Sequence, residues 1–121
     1  MEIRYTMSQG IAIVAPAGWL DTGSSEAFLE YCATVPRGPV ILDLSGLTYL
    51  SSTGLRALLR FRKERTQEGT EIVLAGSRGF VYAVLRMSGF DRLFRLYPSS
   101  ADAIETIAKI APSAPRARGR A

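Results

Sequence analysis

The sequence predicts one α/β domain, with a mixed sheet of about four or five strands and about four helices. Its 121 residues, 47% of them hydrophobic, suffice for one packed core and are too few for two. Apolar runs of strand length, "GIAIVAPAGWLD", "PVILDLSGL" and "EIVLAG", alternate with stretches whose apolar residues recur at helical spacing. Strands followed by strands and then by alternating helices imply a mixed sheet.

"EIRYTM" reads as an opening strand, and Ser8 to Gly10 as the turn into "GIAIVAPAGWLD". Asp21 or Thr22 is placed to cap a first helix running to about Ala33, with Ala27, Phe28 and Tyr31 as its apolar stripe and Pro36 beyond its end. "PVILDLSGL" is so uniformly apolar that it is expected to be covered on both faces. A second helix is expected over Thr53–Gln67: Leu55, Leu58 and Leu59 mark a core side, and Arg56, Arg60 and Lys63 a basic side. Gly69 stands where a helix C-terminal glycine is expected, ahead of "EIVLAG". A third helix fits about Gly79 to Ser88 and stops at Gly89, and a fourth starts at Ser99, which has Asp102 at capping-box spacing.

The formal net charge of +4 raises the question of an anionic partner. Of 15 basic side chains, however, Arg116, Arg118 and Arg120 lie in the closing segment, leaving 12 against 11 acidic ones elsewhere. The domain is expected over residues 1–111. Residues 112–121 hold no large apolar side chain to offset the entropy of ordering and read as a disordered basic tail. No direct, specific contact with nucleic acid is expected. Nor is membrane insertion, since no apolar run approaches the length of a membrane helix, and the opening residues lack the pattern of a secretory signal; a cytoplasmic protein is expected.

With one cysteine, Cys32, and no histidine, the chain has neither an internal disulfide nor the key members of the common zinc, haem, Cys-His and Ser-His-Asp sites. There is no phosphate-binding fingerprint; "GSRGF" at 76–80 has two glycines but reads as a turn into the third helix. No G-x-S-x-G surrounds any serine. No catalytic residue, cofactor or metal is therefore assigned. The stripe Arg56, Arg60 and Lys63 reads as a solvated helix face, one that a protein partner could also use. Trp19 fits either an exposed anchor for a partner or core packing at a strand end.

One stretch, "YLSSTGL", places three hydroxyls, Ser51, Ser52 and Thr53, between an apolar run and a helix start. Helix starts carry unpaired N–H groups and partial positive charge, so a serine there serves as an ordinary N-cap or as a place where a phosphate is tolerated. Local physics leaves both open.

The segment "VILDLSGLTYLSSTGLRALL" at 40–59 resembles the centre of STAS domains of the bacterial anti-sigma factor antagonist type, where an apolar strand, Asp-Leu-Ser and Asp-Ser-[Ser/Thr]-Gly-Leu precede a helix. "GWLD" at 18–21 and "LRMSGFDRLFRLYPSSADAI" at 85–104 extend the resemblance over nearly all of residues 3–110. The resemblance implies a binding switch and no enzyme. Such proteins bind an anti-sigma factor that is also a serine kinase and so free a sigma factor; phosphorylation of one serine ends the interaction, and a phosphoserine phosphatase restores it. The motif places the acceptor at Ser52, with Thr53 and Gly54 following and Asp21 in the neighbouring loop. Ser51 departs from the family's usual aspartate, which makes Ser51 and Thr53 rival acceptors. The partner surface implied comprises Asp21, Thr22, Gly23, Ser24, Ser51, Ser52, Thr53, Gly54 and Arg56, on a monomer or weak dimer. Alternatives are an unphosphorylated STAS subunit of a lipid-transport or stress-signalling complex and, from another class, a small phosphotransfer or nucleotide-binding enzyme.

Overall fold

A computed structural model describes residues 1–110; the expected tail at 112–121 lies outside the described residues. Strands β1 (Glu2–Ser8) and β2 (Ile11–Leu20) form an antiparallel hairpin, turning at Gln9 and Gly10, both with positive φ. Helix α1 (Ser25–Cys32), strands β3 (Val40–Asp43) and β4 (Leu47–Leu50), helix α2 (Ser52–Gln67) and strand β5 (Ile72–Ala75) follow. Helix α3 (Gly79–Met87), a single 3-10 turn (Phe90–Arg92), strand β6 (Leu96–Tyr97) and helix α4 (Ser100–Ile110) complete the described chain. The sheet runs β1-β2-β3-β5-β6, parallel except for β1 against β2.

The six strands exceed the expected four or five because "PVILDLSGL" is not one strand. The chain turns at Leu44–Gly46, where the Leu47 N–H donates to Leu44 O at 3.0 Å, and re-enters as β4 beside the far end of β2. Strand β2 is long enough to pair β3 through Ala12–Val14 and β4 through Gly18–Leu20, with a register shift at Gly18 (φ +98°). A two-residue β6 adds the outer edge.

Apolar alternation divides the strands between two layers. Ala12, Val14, Val40, Leu42, Ile72 and Leu74 pack with Phe28 of α1, Leu58 and Phe61 of α2, and Val81 and Leu85 of α3. On the opposite face Ile11, Ile41, Val73 and Ala75 pack with Ala103 and Ile107 of α4. Strands β3 and β5 are thus covered on both sides, as their composition required, and each such large side chain stabilises the fold by about 1.5–3 kcal/mol.

Helix α1 begins later than expected. Its N-cap position is Ser24, not Asp21 or Thr22, and its inward residues are Ser25, Phe28 and Cys32, while Ala27 faces solvent. The reason is the Asp21 loop, which closes on itself before the helix begins. At the other end of α1, the buried Arg65 of α2 donates to three carbonyls: Val35 O at 2.8 Å, Pro36 O at 2.9 Å and Cys32 O at 3.2 Å. The guanidinium thus satisfies the last carbonyl of α1 and two of the loop that follows it, and sits at the negative end of the helix dipole. Helix α4 carries the expected capping pair: the Asp102 N–H donates to Ser99 Oγ, and the Ser99 hydroxyl to Asp102 Oδ2, both at 3.1 Å.

Candidate functional site

Parallel pairing of Trp19 with Tyr49 and Leu20 with Leu50 brings the ends of β2 and β4 side by side. The loop Asp21–Ser24 and the turn Ser51–Gly54, about 30 residues apart in sequence, therefore emerge together from the sheet. The Ser51 N–H donates to Leu20 O at 3.1 Å, continuing the ladder by one bond into the start of α2.

Within this turn the hydroxyls divide their tasks. Ser51, in an extended conformation, is the N-cap: its Oγ accepts the Gly54 N–H at 3.2 Å and its carbonyl accepts the Leu55 N–H at 2.9 Å. The expected start at Thr53 moves back to Ser52, and the cap falls on Ser51 and not on Ser52. Thr53 Oγ1 accepts from the Thr22 hydroxyl at 3.1 Å and from Arg56 Nη2 at 3.3 Å. Ser52, the first helical residue, is exposed, and among the described residues its hydroxyl has no protein partner. Gly54 is buried against the end of β2; a Cβ there would stand 2.3 Å from Leu20 O. Only glycine lets the helix approach the strand this closely.

The Asp21 loop is knotted by its own polar groups. Asp21 Oδ1 accepts the Gly23 N–H at 3.1 Å, and the Asp21 N–H donates to Ser24 Oγ at 3.0 Å. The Ser24 hydroxyl donates back to Trp19 O at 2.7 Å, and Asp21 O accepts both the Ser25 N–H and the Ser25 hydroxyl. Thr22 is the link to α2, through Thr53. Every residue of the expected partner surface thus lies in two adjoining segments, with Arg56 exposed one turn into the helix.

Backbone and side chain together give this turn positive character. First-turn N–H groups have no intrahelical acceptor, Ser51 satisfies that of Gly54, and Arg56 adds a full positive charge beside Thr53. The buried Cys32 belongs elsewhere: burial pushes its thiol up to about 12, so it holds no thiolate at neutral pH. Among the described residues no three His, Cys, Asp or Glu side chains gather in a way that could hold a metal ion. No described helix is long and apolar enough to cross a membrane.

Residues that the sequence did not reveal as neighbours precede the Ser51–Gly54 turn on β4 and flank it in β2 and α3. Tyr49 stands between Trp19 and Phe80, its ring centroid 5.5 Å from each. Trp19 is exposed, which excludes core packing at the strand end. The unequal exposure of "LTYL", with both leucines buried and Tyr49 outside, is visible only once β4 is recognised as a strand.

The sequence matches the family model of the STAS domain over residues 2–103. The chain belongs to the STAS domain family. Its relatives include a protein of Bordetella bronchiseptica named "Putative anti-sigma factor antagonist BtrV", 33% identical over 97 residues, which span 78% of this chain and 84% of that one. An anti-sigma factor antagonist from Mycobacterium paratuberculosis shares the fold with a TM-score of 0.77 at 23% identity, covering 88% of this chain and 92% of that one. The anti-sigma factor antagonist SpoIIAA, a cell fate determinant of Bacillus, has been solved in two states. At 16% identity, its unphosphorylated form gives a TM-score of 0.74 over 89% of this chain and 97% of that one, and its phosphorylated form 0.67 over 88% and 99%. By sequence relationship this STAS domain is of the anti-sigma factor antagonist type.

Proposed function

We propose that this STAS domain acts in the cytoplasm as a partner switch: it binds an anti-sigma factor that is also a serine kinase, releases the sigma factor, and is turned off when that kinase phosphorylates Ser52. A phosphoserine phosphatase restores the binding form. The observation that carries this reading is the division of the three hydroxyls. Ser51 is engaged by Gly54 and Thr53 by Thr22 and Arg56, so Ser52 alone presents a free, exposed oxygen to a kinase.

In the transfer, Ser52 Oγ forms a bond to the γ-phosphorus of ATP, the bond from that phosphorus to the bridging oxygen breaks, and ADP leaves. The hydroxyl proton passes to a base of the kinase. The STAS domain contributes a surface and a nucleophilic oxygen, and the catalytic groups are the kinase's. The product carries about −1.5 to −2 charges at a helix start, where the free N–H groups favour an anion, so the fold tolerates it. The same charge repels an acidic partner surface that had faced Arg56.

The test is incubation with ATP and the anti-sigma factor kinase captured from the native cytoplasm, followed by fragment-ion mass spectrometry. One phosphate on Ser52 is expected. Phosphate on Ser51 or Thr53 would refute the assignment, and no phosphate at all would favour an unphosphorylated scaffold.

A further inference from the structure

Helix α3 carries two apolar stripes where one would suffice. Val81 and Leu85 point into the core, while Phe80, Ala83 and Met87, at i, i+3 and i+7, line the solvent side. Phe80 is 53% exposed and Met87 87%. The outer stripe does not end with the helix. Phe80 stacks on Tyr49 of β4 with rings 4° from parallel, and Tyr49 packs on Trp19 of β2, itself 62% exposed. A strip of large apolar side chains therefore runs from the end of β2 across β4 and along α3, and nothing in the described chain covers it.

We propose that this strip is the hydrophobic anchor on which the anti-sigma factor docks, against a partner surface with an apolar centre and an acidic rim; the proposal rests on the reading of Ser52 as part of that partner's interface. Continuity selects this occupant. Tyr49 precedes Ser52 by three residues, hence by at most about 11 Å. The Trp19 carbonyl is bonded to Ser24 of the neighbouring loop. A partner seated on Ser52 through about 800 Å² per side reaches about 16 Å from its centre, far enough to include Tyr49, on which Phe80 stacks and Trp19 packs.

Charge gives the partner's rim. Arg78, exposed two residues ahead of Phe80, and Arg56, bonded to Thr53 next to Ser52, are both cations on exposed positions near this region. A second copy packed on the same strip would set these cations against one another, whereas an acidic rim pairs with them. Tryptophan, tyrosine and arginine around a pre-stacked aromatic centre also match the composition of binding hot spots, and rings already held by one another lose little freedom on docking.

The test is calorimetric titration, without ATP, of the anti-sigma factor that phosphorylates Ser52 into the full chain and into Phe80→Ser, Met87→Ser and Phe80→Leu. The exposed serine variants are expected to keep the wild-type circular dichroism and melting point and to weaken binding at least tenfold. Phe80→Leu, which keeps the apolar surface, is expected to stay within threefold of wild type. For Ser52 phosphorylation, the serine variants are expected to raise KM at unchanged kcat, the mark of lost binding without lost chemistry. Wild-type affinity and KM in both serine variants would overturn the docking strip and leave the Ser52 switch standing. A wild-type chain that neither binds the anti-sigma factor nor accepts phosphate would overturn both. A wild-type dimer that Phe80→Ser dissociates, with affinity for the anti-sigma factor unchanged, would assign the strip to a second copy and likewise overturn the proposal.

Discussion

Ser51 Oγ accepts the Gly54 N–H at 3.2 Å, so the cap of α2 and the exposed hydroxyl beside it belong to different residues. Capping and the proposed switching are thereby separable by mutation. Ser51→Ala is expected to lower stability by about 0.5–2 kcal/mol, and Ser51→Asp, which caps equally well and brings back the family's usual residue, to lower it hardly at all. Urea denaturation of the two variants checks this. Equal losses would mean that the cap does not hold the helix start.

Ser52 makes no cap bond, so Ser52→Ala is expected to change stability by less than about 0.5 kcal/mol and to retain binding to the anti-sigma factor. Ser52→Asp places a charge at a helix start that favours it, yet in the face proposed for the partner. It is expected to fold normally and to bind about a hundredfold more weakly, equivalent to about 2.8 kcal/mol. Calorimetric titration separates the two variants. Equal affinities would sink the electrostatic switch.

Gly54→Ala tests the seating of α2 on β2. The added Cβ would meet Leu20 O at 2.3 Å, and backbone on both sides has to move. The expected cost is about 1–3 kcal/mol or more, the range for overpacking a tight contact. Gly23→Ala, whose Cβ would lie 3.6 Å from the Asp21 carboxylate, serves as the mild control in the adjoining loop. A thermal midpoint for Gly54→Ala that matches the control would show that the helix start is free to shift.

Arg65 holds the end of α1 and the loop after it through the carbonyls of Cys32, Val35 and Pro36, and its removal leaves these acceptors without that donor. Arg65→Ala is expected to destabilise the fold by about 2–4 kcal/mol. Arg65→Lys keeps the charge but not the fork and is expected to recover only part of that loss. Chemical denaturation of both variants provides the measurement.

Burial raises the Cys32 thiol from 9.0 to about 12, with the nearby Arg65 charge acting in the opposite direction. Between those values the unfolded chain gives up its thiol proton while the native chain keeps it, so this group's contribution to stability is intact below 9.0 and declines as the pH rises toward 12. The stability advantage of wild type over Cys32→Ala is expected to shrink as the pH is raised from about 8 to about 10.5. Iodoacetamide at neutral pH is expected to leave the native thiol unmodified and to label it after denaturation, by intact mass.

Much of the fold is legible in the composition of short runs. Strands β3 and β5 are apolar on both faces because helices cover both, and Gly69, Gly89 and the Ser99–Asp102 pair mark helix ends by local chemistry. What misled was also local. Asp21 and Thr22 have the side chains of a cap, but Asp21 closes its own loop and Thr22 reaches across to Thr53, so α1 starts at Ser25. "PVILDLSGL" has the apolar character of one strand, but the turn at Leu44–Gly46 divides it, because β2 extends far enough past β3 to pair a second time.

The sequence by itself determined the α/β class, the order of its main elements, the family, and the short segment in which a switch would lie. Those features depend on periodicity and on residue types at fixed spacing along the chain. Only the tertiary structure decided which hydroxyl caps and which is free, because the partners of Ser51 and Thr53 are set by how closely Gly54 seats on Leu20 and by the approach of Thr22 across the sheet edge. It alone decided that Trp19 is outside and continuous with Tyr49 and Phe80, since three residues distant in the chain become one surface only when β2, β4 and α3 are packed together.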